Sequence, residues 1–216
     1  MTKISPSILD VETLKINKKV ESLDKAGADY IHIDVMDGNY VPNKSFGPNL
    51  IKSIRKITSK PLDVHLMIKP VKPFINDFID CESDIISFHP EADNETESIL
   101  EILNSSKAKA GIALHPQIEI SNIEHLLGKI DQVIVMTVNP GFGGQKFIYN
   151  QLKKIKELYH LRERKNYSFD ISVDGGINDT TAKLCVENGV DVLAVGSFIL
   201  SKNENEFKNL IQSLKK

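Results

Sequence analysis

Two histidines and two aspartates lie in short aliphatic stretches of the sequence, where polar side chains are unusual. His32 and Asp34 lie in IHIDVMDG, His65 lies in DVHLM, and Asp174 lies in ISVDGG. Imidazole and carboxylate groups together are ligands for Zn²⁺, Mn²⁺ or Fe²⁺, and such sites can keep a coordination position open for substrate. If these four residues meet in space, the sequence therefore predicts a divalent-metal site.

The alternation in residues 31–36 predicts a β-strand whose two faces differ. The aliphatic residues 31, 33 and 35 share one face, and His32, Asp34 and Met36 share the other. Nothing nearby indicates an exposed sheet that would place the second face in water. The polar face is therefore expected inside a larger assembly of strands.

Short β-branched stretches alternate with longer amphipathic ones along the whole chain, which predicts βαβ units and a parallel sheet. The predicted strands are Lys3–Leu9, Tyr30–Met36, Leu62–Met67, Asp84–Phe88, Ala108–Leu114, Gln132–Thr137, Asp170–Asp174 and Val192–Gly196. Eight such units in 216 residues predict an α/β fold, a (β/α)₈ TIM barrel, as one catalytic domain over residues 1–216. A doubly wound sheet is the alternative, but its usual GxGxxG is absent from the first turn, SPSILDVE.

In such barrels the active site is built from the C-terminal strand ends and the loops that follow them. His32, Asp34, His65 and Asp174 lie on three such strand ends and are expected to converge there. A single strand histidine is more often a core residue than a ligand, so the coincidence of all four favours a site. The other histidines are predicted to border the pocket or to lie on surface helices: His89 and His115 in the first group, His125 and His160 in the second.

Methionines and glycines also cluster at the predicted strand ends. Apart from the initiator, the three methionines are Met36, Met67 and Met136, and each closes a predicted strand. Methionine commonly fills core gaps, but here it would also exclude water from a charged site. Glycine-rich turns follow strands 6, 7 and 8, at 141–144, 175–176 and 196–197. Their backbone N–H groups could form an anion site, which favours a phosphorylated substrate.

The overall composition excludes several classes of protein. With 27 basic and 29 acidic residues and a formal net charge of -2, the chain has no basic patch for nucleic acid. Neither the start, MTKISPSILD, nor any later stretch has the apolar run of a signal peptide or membrane span. Cys81 and Cys185 lack metal-type spacing and are predicted to be reduced, half-buried thiols, which favours a cytoplasmic protein.

Seven motifs occur between Ile4 and about residue 200: SPSIL, HIDVMDGNYVPN, FGP, DVHLM, FHPEA, VNPGFGGQKF and VDGGI. Together they resemble the ribulose-phosphate 3-epimerase family. The resemblance implies a barrel of the ribulose-phosphate-binding type that interconverts D-ribulose 5-phosphate and D-xylulose 5-phosphate in the pentose phosphate pathway. It also implies a symmetric homo-oligomer.

The resemblance assigns a role to each matching position. One divalent ion (Zn²⁺, Fe²⁺, Mn²⁺ or Co²⁺) per subunit would be bound by His32, Asp34, His65 and Asp174, and no organic cofactor is expected. Asp34 and Asp174 would also act as catalytic acid and base. Met36, Met67 and Met136 would pack around the reacting carbons. The substrate would contact Ser7, His65, Gly141, Phe142, Gly143, Gly144, Gly175, Gly176, Gly196 and Ser197, the glycine-rich turns holding its phosphate end.

The chemistry of the residues agrees with this assignment. To invert the carbon next to a ketone, one group removes a proton and another returns one to the opposite face, which two carboxylates can do. A metal would stabilise the enediolate, although ligation should make each carboxylate a poorer base.

Three alternatives stay open at this stage. A six-carbon relative, such as an allulose 6-phosphate 3-epimerase, would share every catalytic residue. A decarboxylase or aldolase of this barrel type would need a D-x-K-x-x-D pattern or a Schiff-base lysine, which the strand ends lack. A non-catalytic sugar-phosphate sensor would be expected to lose a carboxylate.

Overall fold

The computed structural model describes residues 1–215, and in this range eight parallel strands pair side by side. Their bounds are β1 Lys3–Pro6, β2 Ile31–Met36, β3 Leu62–Met67, β4 Ile85–Phe88, β5 Lys109–Leu114, β6 Gln132–Met136, β7 Asp170–Asp174 and β8 Val192–Val195. The pairing order is β1-β8-β7-β6-β5-β4-β3-β2, and an isolated parallel bridge from Ser7 to His32 joins the two outermost strands. The predicted (β/α)₈ barrel is confirmed.

The first strand is three residues shorter than predicted, and the last is one residue shorter. β1 ends at Pro6 rather than Leu9, because the chain then turns, with the Val11 N–H donating to the Ile8 carbonyl oxygen at 3.0 Å. β8 ends at Val195, and Gly196 leaves the extended conformation with φ -94° and ψ -101°. The remaining strands lie within one residue of their predicted bounds.

Helices connect most of the strands on the outside of the barrel. They are α1 Ile16–Lys25, α2 Pro48–Arg55, α3 Ile75–Ile79, α4 Thr96–Asn104, α5 Gln151–Lys165, α6 Asp179–Glu187, α7 Ser197–Leu200 and α8 Phe207–Leu214. Between β5 and β6 the chain forms two 3₁₀ segments, Ile120–Asn122 and Glu124–Lys129, in place of an α-helix. Asn178 caps α6, accepting from the backbone N–H groups of Thr180 and Thr181, so the loop after β7 has a defined geometry.

Both faces of β2 are buried, which explains the alternation in its sequence. Ile31, Ile33 and Val35 belong to the main hydrophobic core, which also contains the buried residues of α1. His32 and Asp34 face the interior of the barrel, where they meet polar residues from neighbouring strands. The barrel therefore has a polar interior at the level of the candidate site.

Two further predictions concern the membrane and the cysteines. Over residues 1–215, no helix combines the length and the apolar character needed to cross a membrane. Cys81 and Cys185 are free thiols, and both are fully buried rather than half-buried.

Candidate active site

The structure brings the four predicted metal ligands together at the C-terminal ends of the strands. One ligand atom from each of His32, Asp34, His65 and Asp174 lies within 4.8 Å of all the others. Pairing of β2 with β3 sets Asp34 opposite His65, and β7 supplies Asp174 from across the barrel. The first three residues are buried and the fourth is partly exposed. Three separate strands therefore form one compact cluster.

The imidazole nitrogens of this cluster point at the carboxylates. His32 Nε2 lies 3.3 Å from Asp34 Oδ1 and 4.0 Å from Asp174 Oδ2. His65 Nδ1 lies 3.3 Å and 3.7 Å from the same two oxygens. Ser7 Oγ donates to the other Asp34 oxygen, Oδ2, at 2.7 Å. The facing atoms are two nitrogens and two carboxylate oxygens, a donor set suited to Zn²⁺ or a similar divalent ion.

A network at the back of His32 fixes the orientation of its ring. His32 Nδ1 lies 2.8 Å from Asp63 Oδ2, which also accepts from Ser5 Oγ at 3.1 Å, while Asp63 Oδ1 accepts from Gln132 Nε2 at 2.9 Å. His32 Nε2, by contrast, is buried and has no hydrogen-bond partner within residues 1–215. A buried imidazole nitrogen left open toward two carboxylates fits a bound cation, and the Asp63 contact is typical of metal-bound histidines.

The electrostatics of the cluster also favour a cation. Although burial favours the neutral forms, Asp34 and Asp63 raise the pKa of His32 well above its usual range. Burial likewise opposes charge on His65, but the Asp174 and Asp34 carboxylates that face its ring raise its pKa. His32 and His65 in turn hold the pKa of Asp34 well below its usual range, against the effect of burial. Buried carboxylates therefore require either protons on the histidines or a metal between them.

A further histidine, which sequence reasoning placed at the pocket border, is buried behind the cluster. His89 Nε2 lies 3.0 Å from His65 Nε2, and burial lowers the pKa of His89 to about 4. The Tyr40 ring stacks on the His89 ring, with 4.7 Å between centroids. His115 is half-buried, and His125 and His160 are exposed as expected. His89 is therefore part of the site's support rather than its surface.

A cavity that is open to solvent lies above the cluster. Asp34 and Asp174 reach its surface, whereas His32 and His65 lie beneath it. The lining includes nearly all other residues predicted to contact substrate or to exclude water: Ser7, Met36, Met67, Met136, Gly141, Phe142, Gly143, Gly144, Gly175, Gly176, Gly196 and Ser197. The sequence prediction did not include Leu9, Asp10, Val138, Pro140, Gln145, Ile177 and Ala194, which also line it. His65, predicted to contact substrate as well, is not among the lining residues.

Several glycines of the lining adopt conformations or positions that other residues would not fit. Gly176 has φ +66°, and a Cβ there would lie 2.6 Å from the Phe147 backbone nitrogen. At Gly143 a Cβ would lie 2.2 Å from an Asp10 carboxylate oxygen. Gln145 Nε2 donates to the carbonyl oxygens of Asn139 and Phe142, at 2.7 and 2.8 Å, which holds the glycine-rich loop after β6 in shape. One wall of the cavity is therefore formed by glycine backbone that packs closely against neighbouring residues.

The sequence prediction did not include Asp63 or Gln145, although the alternation of residues along the strand could have indicated Asp63. Asp63 lies two residues before His65 in the same strand, so strand alternation places both on the inner face. Gln145 follows the glycine-rich loop and has no such periodic relation to the strands.

These features define a class: a (β/α)₈ barrel with a two-histidine, two-aspartate candidate metal centre beneath a glycine-lined cavity. Comparison with known proteins makes the assignment specific. The model of the ribulose-phosphate 3 epimerase family matches residues 3–200. The ribulose-phosphate 3-epimerase of Bacillus subtilis is 41% identical over 207 residues, covering 95% of each chain. That of Methanocaldococcus jannaschii is 42% identical, covering 94% of this chain and 86% of its own. This chain belongs to the ribulose-phosphate 3-epimerase family.

The predicted family, and with it the epimerase class of enzyme, is therefore confirmed. The ribulose-phosphate 3-epimerase of Escherichia coli K12 is 35% identical over 98% of this chain and 94% of its own. Among solved structures, 3-hexulose-6-phosphate synthase from Salmonella typhimurium has a TM-score of 0.75 at 20% identity, covering 99% of both chains. Thiamine phosphate pyrophosphorylase from Pyrococcus furiosus has a TM-score of 0.66 at 16% identity, covering 99% and 95%. At these identities the two structures support the fold alone.

Proposed function

We propose that this protein is a metal-dependent epimerase that interconverts D-ribulose 5-phosphate and D-xylulose 5-phosphate in the pentose phosphate pathway. The observation that carries the proposal is the pair of carboxylates, Asp34 and Asp174, which reach one cavity from a cluster that also contains two histidines. Family membership supplies the substrate class, a phosphorylated ketose.

Asp34 and Asp174 would carry the proton transfers. One carboxylate, ionised, removes the proton from C3, and an enediolate forms across C2 and C3. The other, protonated, then returns a proton to the opposite face of C3, so that the configuration inverts. The two carboxylates come from β2 and β7 on different sides of the barrel interior. The reaction in the reverse direction exchanges their roles.

His32, His65, Asp34 and Asp174 would hold one divalent ion, and the donor set suits Zn²⁺, Fe²⁺, Mn²⁺ or Co²⁺. A bound ion at this position would supply Lewis-acid stabilisation of the charge that develops on the ketone oxygen. The buried, partnerless His32 Nε2 supports such an ion.

The remaining lining residues would hold the two ends of the substrate. Ser7, which lines the cavity and whose hydroxyl donates to Asp34, would contact the substrate beside the acid and base. The predicted phosphate end would bind to backbone N–H groups of the glycine-rich turns, namely Gly141–Gly144, Gly175, Gly176, Gly196 and Ser197. Met36, Met67 and Met136 would shield the reacting carbons from water.

A six-carbon ketose phosphate, such as D-allulose 6-phosphate, is the second candidate, because the acid, base and metal ligands would be the same. A retro-aldol reaction through a Schiff base is disfavoured, since the cavity lining formed by residues 1–215 contains no lysine. A sensor without catalysis is disfavoured because both carboxylates reach the cavity.

The test is proton exchange followed by NMR in D₂O with D-ribulose 5-phosphate. We expect deuterium at C3 together with formation of D-xylulose 5-phosphate, loss of both on chelation, and recovery when metal is added back. No exchange by protein with metal bound would contradict the proposal. Exchange with D-allulose 6-phosphate instead would favour the six-carbon reaction.

Three wider expectations belong to the same proposal. Residues 1–216 would act as one catalytic domain in the cytoplasm, and subunits would associate as a symmetric homo-oligomer. Light scattering of the purified protein would measure its mass in solution, and a monomer would contradict the last expectation.

A further inference from the structure

Behind the candidate metal centre lies a second row of side chains that the proposed reaction does not use. It starts behind the metal ligand His65 and consists of His89, Glu91 and Tyr40, which we call the His89 relay. His65 Nε2 lies 3.0 Å from His89 Nε2, and His89 Nδ1 lies 3.5 Å from Glu91 Oε1. The Tyr40 hydroxyl donates to the same Glu91 oxygen at 2.8 Å. Both histidines are fully buried.

The contact between the two histidines restricts where their protons can be. Two ring nitrogens 3.0 Å apart need one proton between them, because two N–H groups or two lone pairs would repel each other. The other nitrogen of His65, Nδ1, faces Asp34 and Asp174 and must be unprotonated to bind a metal. His65 Nε2 then carries the proton and donates a hydrogen bond to His89 Nε2.

The hydrogen bond at His89 Nε2 determines where the proton of His89 lies. With Nε2 as the acceptor, the proton of neutral His89 must be on Nδ1, the atom that faces the Glu91 carboxylate. His89 Nδ1 is buried and has no hydrogen bond of good geometry among the described residues. Glu91 Oε1, 3.5 Å away, is positioned to accept this proton after a small adjustment. Tyr40 holds Glu91 through its hydroxyl group and stacks on the His89 ring.

We infer that His89, Glu91 and Tyr40 are positioning residues that fix the ring and the tautomer of His65, so that its Nδ1 is held ready for a divalent ion. This inference rests on the proposed metal centre. Partners of this kind behind metal-bound histidines are worth about 10- to 100-fold in metal affinity.

The first experiment measures Zn²⁺ affinity by competition with a chelating dye, with no substrate present. We expect His89→Phe to weaken Zn²⁺ binding by about 10- to 100-fold, since the ring volume is kept and both nitrogens are lost. Glu91→Ala should weaken binding on the order of tenfold, and Glu91→Gln should recover most of that loss because its amide oxygen still accepts. Tyr40→Phe should weaken binding by roughly threefold to fivefold, because the Tyr40 hydroxyl acts on the metal only through Glu91 and His89.

A matched control separates this effect from the loss of any tyrosine hydroxyl. Tyr159→Phe, on the outer helix α5, removes a hydroxyl far from the relay and should leave Zn²⁺ affinity unchanged. Circular dichroism of each variant checks that the barrel has formed, and Glu91→Gln provides a test that does not depend on the larger substitutions.

The second experiment observes the tautomers directly. In ¹⁵N-histidine-labelled protein with Zn²⁺ bound, long-range ¹H–¹⁵N spectra should show His65 protonated at Nε2 and His89 protonated at Nδ1. The assignments are made with His89→Phe, which removes one set of signals. A His89 protonated at Nε2 would overturn the inference, because His65 could not then donate to it.

The outcomes distinguish this inference from the proposed function. If the wild-type protein binds Zn²⁺ and His89→Phe and Glu91→Ala bind it equally well, the relay has no positioning role, and the metal centre stands. If the wild-type protein binds no Zn²⁺, Fe²⁺, Mn²⁺ or Co²⁺, both the metal-dependent function and the relay are overturned.

Discussion

The most informative substitution for the architecture of the site is Asp63→Ala, which removes the carboxylate behind the His32 ring. Asp63 is fully buried and accepts from Ser5 Oγ and Gln132 Nε2, while His32 Nδ1 lies 2.8 Å from one of its oxygens. Burial opposes its charge, but His32 lowers the pKa of Asp63, so the carboxylate is ionised at neutral pH. Removing it leaves three buried donors without their acceptor.

The size of the effect follows from these three contacts. The Ser5 hydroxyl can rotate, and Gln132 Nε2 has a second acceptor in Ser87 Oγ at 3.3 Å, so their losses are small. His32 loses its closest carboxylate in a fully buried site, and breaking a buried charge pair in this way costs about 3–5 kcal/mol. For a protein of this length, that lowers the melting temperature by roughly 6–20 °C.

The assay is chemical denaturation of the metal-free protein at pH 7, in the presence of a chelator. Ser172→Ala is the matched control, because Ser172 is also a buried polar residue on a barrel strand but its hydroxyl has no partner within residues 1–215. We expect the control to change the free energy of unfolding by less than about 1 kcal/mol. If Asp63→Ala changed the free energy of unfolding by no more than the control does, the claim that Asp63 stabilises His32 in the metal-free protein would be refuted.

Three further predictions concern catalysis, binding and pH. Asp174→Asn should lower kcat by about 10²- to 10⁴-fold in the epimerase assay with little change in melting temperature, and a variant near wild-type activity would remove the two-carboxylate mechanism. Gly143→Val should raise KM on the order of tenfold, because its side chain would collide with the Asp10 carboxylate and displace the loop, and an unchanged KM would place the phosphate elsewhere. Because the pKa values of His32 and His65 are raised, metal binding at pH 7 should displace about one to two protons and tighten as pH rises, and calorimetry showing no proton release would contradict this.

The fold could be predicted because the strands of a closed barrel leave a repeated signal. Each is a short β-branched stretch followed by a longer amphipathic one, and all eight appear in the structure. The end of β1 was less predictable, since Ser7 forms only an isolated bridge with His32 instead of continuing the strand. Alternation within a strand carries no information about where its pairing stops.

The ligand set could be predicted because chemistry and periodicity coincide at these positions. His89 differs, since it follows β4 in FHPEA and its sequence neighbours do not show whether it faces the cavity or the ring of His65. Its place behind His65 is determined by the packing of β4 beside β3, which only the structure shows. Asp63 could have been predicted from its spacing to His65, but its role as an acceptor for His32 depends on the register of β2 and β3, which sets the two residues opposite each other.

The two carboxylates of the site have different surroundings, and this has a consequence for the proposed reaction. The Asp34 side chain is 4% exposed and accepts from Ser7 Oγ, whereas the Asp174 side chain is 16% exposed, and no hydrogen-bond donor in the described chain holds it. A proton taken up by Asp174 should therefore exchange with solvent more readily than one taken up by Asp34.

In D₂O, this asymmetry should appear in the substrate recovered early in the reaction. The epimer deprotonated by Asp174 should be recovered with more deuterium at C3 than the epimer deprotonated by Asp34, because the returning proton has had time to exchange in only one case. Mass spectrometry of recovered ribulose 5-phosphate and xylulose 5-phosphate, each used as the starting compound, measures both values. Equal enrichment from the two starting epimers would show that solvent reaches both carboxylates equally during turnover. The difference in burial would then be a property of the resting protein alone.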